Sequence, residues 1–91
     1  MKNNLFALGQ LVATPGALEL MELGEVNPAA LIERHMTGDY GDMCPDDVDL
    51  NTAAIEYGSR IMSSYPVPNG KVWVITEADR SSTTILLPDE Y

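Results

Sequence analysis

Arg60-Ile61-Met62-Ser63-Ser64-Tyr65-Pro66-Val67-Pro68-Asn69-Gly70-Lys71-Val72-Trp73-Val74-Ile75-Thr76-Glu77 decides the fold. Up to Gly58 the apolar residues recur at spacings of three and four; beyond it they alternate, which is the change from helical to extended periodicity. Residues 60–65 read as a short strand, 66–70 as a turn and 71–77 as a second strand rich in β-branched and aromatic residues. Asn69-Gly70 is a strong hairpin signal. Val72, Val74 and Thr76 point one way from that strand, and Trp73 and Ile75 the other. Apolar side chains on both faces predict a central strand. Residues 78–82 form the next turn and 83–87 the last strand, which Pro88 ends before an acidic tail.

Upstream, three helices share one device. Thr14-Pro15, Asn27-Pro28 and Cys44-Pro45 each put proline at a first helical position, where no backbone donor is needed. Gly24, Gly38 and Gly58 stop the three helices. The expected inner faces are Ala17, Leu18 and Met21 in the first, Leu31, Ile32 and Met36 in the second, and Leu50, Ala53, Ala54 and Tyr57 in the third. Residues 5–13 read as a mostly buried strand with a bulge or close approach at Gly9. One strand, three helices and a three-stranded meander predict an α+β fold. It comprises a mostly antiparallel sheet of about four strands with three short helices packed on one face, in a single domain, 1–91.

Five Lys and Arg stand against fourteen Asp and Glu, a net charge of -9. Such a charge repels polyphosphate and argues against direct nucleic-acid binding; it suits a protein partner with a basic surface. Cys44 is the only cysteine, so no internal disulfide and no multi-cysteine zinc site can form. Residues 1–6 lack the apolar core of a signal peptide, and no apolar run approaches the ~20 residues of a membrane span. A cytoplasmic protein is expected, with no cofactor and no metal site called for by any motif.

Three stretches together carry a resemblance: Leu8-Gly9-Gln10-Leu11-Val12-Ala13-Thr14-Pro15-Gly16-Ala17-Leu18, Arg34-His35-Met36-Thr37-Gly38-Asp39-Tyr40-Gly41, and Ile75-Thr76-Glu77-Ala78-Asp79-Arg80-Ser81-Ser82-Thr83-Thr84 running on to Leu87-Pro88-Asp89-Glu90-Tyr91. The chain resembles a family of small bacterial proteins carried by plasmids, prophages and other mobile elements. Tyr40 stands where the family usually has Trp. The resemblance implies a stand-alone bacterial cytosolic domain in a mobile-element context, and assigns no catalytic role.

Two groups of residues could carry function. Glu77, Asp79 and Arg80, with His35 as a base oriented by Asp39, could serve a small metal- or Arg-assisted enzyme acting on a phosphate-bearing substrate. The structural alternative makes residues 77–82 a polar turn in which Asp79 bonds the turn amides and Arg80 pairs with a carboxylate. In that alternative His35 caps the end of its helix. Cys44 at a helix start could act as a nucleophile only with His35 beside it. The serines lack a G-x-S-x-G elbow. The other group is Asp39, Tyr40, Asp42, Asp46, Asp47 and Asp49, which lacks the spacing of an EF-hand. An acidic surface there could imitate a phosphate backbone, as in an inhibitor of restriction or CRISPR interference, or be a solvated face. An apolar sheet face left bare by the helices would favour a homodimer through the sheet, and a dimeric scaffold is a third reading.

Overall fold

A computed structural model describes residues 4–91. The opening residues 1–3, read above for the lack of a leader, lie outside the described residues. The elements are β1 (Gln10–Ala13), α1 (Pro15–Leu23), α2 (Pro28–Met36), α3 (Pro45–Tyr57), β2 (Ile61–Val67), β3 (Gly70–Thr76) and β4 (Ser82–Leu86), followed by a 3-10 turn at Pro88–Glu90. The sheet order is β1-β4-β3-β2. β2–β3 and β3–β4 are antiparallel, and β1 lies parallel to β4. The fold is α+β, and β3 is central as its two apolar faces require.

The helix ends follow from the sequence. The side chain of Thr14 accepts from the Ala17 amide at 3.2 Å, and that of Asn27 from the Ala29 amide at 3.0 Å. Gly58 ends α3 at φ 77, a left-handed conformation that glycine adopts without strain. In the β2–β3 hairpin Val67 pairs with Gly70, so the turn pair is Pro68-Asn69. Asn69 sits at φ 75, the type II arrangement with proline first.

The helices cover the sheet face of Ile61, Tyr65, Val72, Val74 and Ile85. Ala17, Met21, Leu31 and Ile32 pack there from α1 and α2, and Ala54 of α3 packs with Tyr40 and Ile61. Each fully buried aliphatic side chain contributes roughly 1.5–3 kcal/mol. On the opposite face Ile75 and Leu86 are also buried, and the Tyr91 ring meets Trp73 edge-on at 5.8 Å between centroids. That face is thus covered in part, with Val12 exposed at its β1 end.

Three readings of side-chain orientation are corrected. β1 is four residues long and exposed rather than mostly buried. The chain before it cannot extend the strand, because Gly9 takes φ 65 and the Leu5 amide bonds the Met36 carbonyl at 2.8 Å. Leu18 faces solvent while its neighbour Ala17 is fully buried. On α3, Leu50 and Tyr57 are 66% and 77% exposed, and Asn51 and Ala54 face inward. The cause is Asn51: its amide donates to the Met62 carbonyl at 2.7 Å and accepts from the Met62 amide at 3.1 Å. That pairing closes part of the β2 edge and sets the rotation of α3.

Candidate functional site

His35 projects from α2 onto the sheet and is 0% exposed. Nδ1 lies 2.5 Å from the Ser63 hydroxyl of β2, and Nε2 lies 2.9 Å from the Thr76 hydroxyl of β3. Thr76 lies 2.7 Å from Thr83 of β4, whose hydroxyl donates to the Leu8 carbonyl at 2.8 Å. The protons can be counted along this chain. Thr83 has given its proton to Leu8, so Thr76 donates to Thr83. Thr76 therefore accepts from Nε2–H, and Nδ1 accepts from Ser63. The chain fixes the proton on Nε2, and among the described residues every buried side-chain nitrogen and oxygen has a partner. Burial pushes the imidazole pKa down to about 4. His35 neither caps its helix nor meets Asp39; it is the centre of a polar rung across three strands.

Residues 77–82 form the polar turn. The Ser81 amide donates to the Asp79 carboxylate at 3.0 Å, and bonds from the Ser81 hydroxyl and amide hold that carboxyl below its usual range. Arg80 takes φ 60, and its guanidinium reaches back to α3. It donates to the carbonyls of Ser59 at 2.7 Å, Ala54 at 2.9 Å and Glu77 at 3.0 Å. A cation at the negative end of a helix also favours the dipole. Arg80 thus meets backbone carbonyls, where a neighbouring carboxylate was expected. Glu77 is exposed.

The acidic group divides in two. Asp39 forms an ion pair with Arg34 at 2.7 Å, and accepts from the Gly41 amide at 3.2 Å. Arg34 in turn lies over the Tyr65 ring, 4.5 Å from its centroid, and the Tyr65 hydroxyl donates to the Asp39 carbonyl at 2.6 Å. Burial pushes the Tyr65 pKa up to about 12. Asp39 is therefore a structural corner. Tyr40, expected at the partner surface, is buried against Ala54 and Ile61. Asp47 is half-buried and accepts from the Cys44 thiol at 3.1 Å. Asp42, Asp46 and Asp49 are exposed. The spacing of α3 sets Asp46, Leu50, Ala53 and Tyr57 along one outer strip, with Asp49 and Glu56 beside it. The resulting face combines exposed carboxylates with two large exposed apolar side chains.

The sequence reading missed a groove of about 630 Å³ between β1 and α2. Leu8, Leu11, Ala29, Ile32 and Met36 line it, with Glu33 as the one charged side chain among the described residues. The uncharged run from Asn4 to Leu18 was the available signal. His35, Glu77, Asp79 and Arg80 do not line it. Among the described residues no three His, Cys, Asp or Glu side chains are grouped to hold a metal, and no helix is long and apolar enough to cross a membrane. Comparison of the chain with protein-family models, with curated proteins and with solved structures finds no match.

Proposed function

We propose that this chain is a non-enzymatic, cytoplasmic protein-binding module whose outer α3 face docks on a basic surface of its partner. The observation that carries the reading is the α3 strip: exposed Asp46 and Asp49 flank Leu50 and Tyr57, with Asp42 in the loop before them. Carboxylates at the rim steer a basic partner, and a tyrosine and a leucine supply the desolvated contacts that hold it. The groups an enzyme would use are engaged elsewhere. His35 has no path to solvent, and the Arg80 guanidinium is occupied by backbone carbonyls. These arrangements support binding over catalysis. The resemblance to mobile-element proteins suggests a more specific role, inhibition of a host defence protein that grips nucleic acid.

The test is capture from nuclease-treated bacterial lysate on immobilised wild-type protein and on the Asp42→Asn/Asp46→Asn/Asp49→Asn variant. Asp39 is left alone because it holds the fold. The expected result is a stoichiometric, salt-sensitive protein partner that the triple variant loses. Equal capture by both would contradict the acidic face.

A further inference from the structure

We infer that the β1 edge is a self-association surface, and that its occupant is β1 of a second copy of this chain, running antiparallel about a twofold axis beside Val12. The two edges of the sheet are treated differently. The β2 edge is closed by Asn51 at Met62 and by the loop after α2, where the Ser64 amide donates to the Tyr40 carbonyl and the Asp42 amide to the Ser64 carbonyl. The β1 edge has no such cover among the described residues. Edge strands are ordinarily blunted by lysine, proline, a bulge or a covering element, and among the described residues β1 has none of these. It presents Leu11 and Val12 at 54% and 41% exposure instead.

Charge selects the occupant. Two copies of a chain at -9 repel through most of their surface. From Asn4 to Leu18 there is no charged residue, so β1 to β1 pairs an uncharged strand with an uncharged strand; the carboxylates beside it are Glu33 in the groove and Glu90, which accepts from the Thr14 hydroxyl at 2.6 Å. The acids of the α3 face belong to the far side of the sheet, where Asn51 holds α3 against β2. Three inter-strand steps of about 4.8 Å put β2 roughly 14 Å from β1, beyond the Debye length of about 8 Å at physiological salt.

The backbone register is self-complementary. The amides of Gln10 and Thr14 point to β4, where they bond Ser81 and Ile85 at 3.0 and 2.9 Å. By alternation Leu11 and Ala13 turn their N–H and C=O outward. With Val12 opposite Val12, Leu11 of each copy exchanges main-chain bonds with Ala13 of the other. Leu11 and Ala13 share the helix-side face with their partners Thr83 and Ile85, so the two apolar grooves meet across the axis. This surface is separate from the α3 face, and the two inferences fail independently.

The test uses charge pairing at the axis. Sedimentation equilibrium of the wild type is expected to give a dimer at micromolar concentration. Val12→Glu and Val12→Lys should each weaken it about tenfold or more, because like charges face one another across a non-hydrogen-bonded pair. An equimolar mixture of the two should restore association as a heterodimer. Val12→Cys in a Cys44→Ser background should oxidise to a covalent dimer, a readout that does not depend on tolerating a charge. A wild type that stays monomeric at hundreds of micromolar would overturn the inference. So would variants that dimerise like the wild type, failure of the mixture, or a β1 edge filled by a different protein.

Discussion

His35 illustrates how a residue suited to catalysis can be used for structure. The direction of the His35–Thr76–Thr83–Leu8 chain places a proton on Nε2, and burial disfavours the second proton that would charge the ring. The folded pKa of about 4 lies below the ordinary 6.5, so the unfolded chain binds the proton first as pH falls. Stability is whole above about pH 6.5 and declines by about 3 kcal/mol on the way to pH 4. Urea unfolding should therefore show the wild type losing more stability than His35→Gln between pH 7 and pH 4.5; parallel losses would contradict a buried neutral imidazole. At pH 7, His35→Leu should cost about 2–4 kcal/mol, because the Ser63 and Thr76 hydroxyls lose a buried partner. Gly9 and Gly41 are residue-scale constraints of another kind. Both have positive φ, and an added Cβ would overlap the Arg80 and Ser81 backbone at Gly9 or the Ser64 carbonyl at Gly41. Alanine at either position should lower stability by about 2–4 kcal/mol, read by thermal unfolding.

At the scale of elements, legibility depended on how local the determinant is. The helix boundaries were readable because Pro15, Pro28, Pro45 and Gly58 act through their own backbone conformations. The alternation of β3 was readable for the same reason. The rotation of α3 was not: Leu50 and Tyr57 have the right spacing for an inner face, but Asn51 binds a strand edge that forms eleven residues later. The His35 rung was equally hidden, since Ser63, Thr76 and Thr83 converge only once three strands are in register. The status of β1 depends on sheet order, which no local pattern encodes. Arg80 links two elements, and its replacement tests whether it is a clamp for α3 or a free cation. Arg80→Ala should cost about 1–2 kcal/mol and speed hydrogen exchange at the last turn of α3. Exchange unchanged at Gly58 and Ser59 would contradict the clamp.

At the scale of the whole molecule, the chain separates its charge from its apolar surface. One sheet edge is backed by α3, with carboxylates flanking Leu50 and Tyr57, and the other is an uncharged strand with no covering element among the described residues. Of the acidic residues singled out by sequence, Asp42, Asp46 and Asp49 remain exposed. Asp39 is also exposed but is engaged by Arg34 and Tyr65, and Tyr40 is buried against Ile61. The central claim is that the outer face of α3 is the binding surface. Its most direct test is hydrogen exchange on the purified complex with the captured partner, compared with the free protein. Slowed exchange at the 42–50 segment and along α3 to Tyr57, with the 77–82 turn unchanged, is the predicted result. Protection confined to the 77–82 turn, with α3 exchanging as in the free protein, would contradict it.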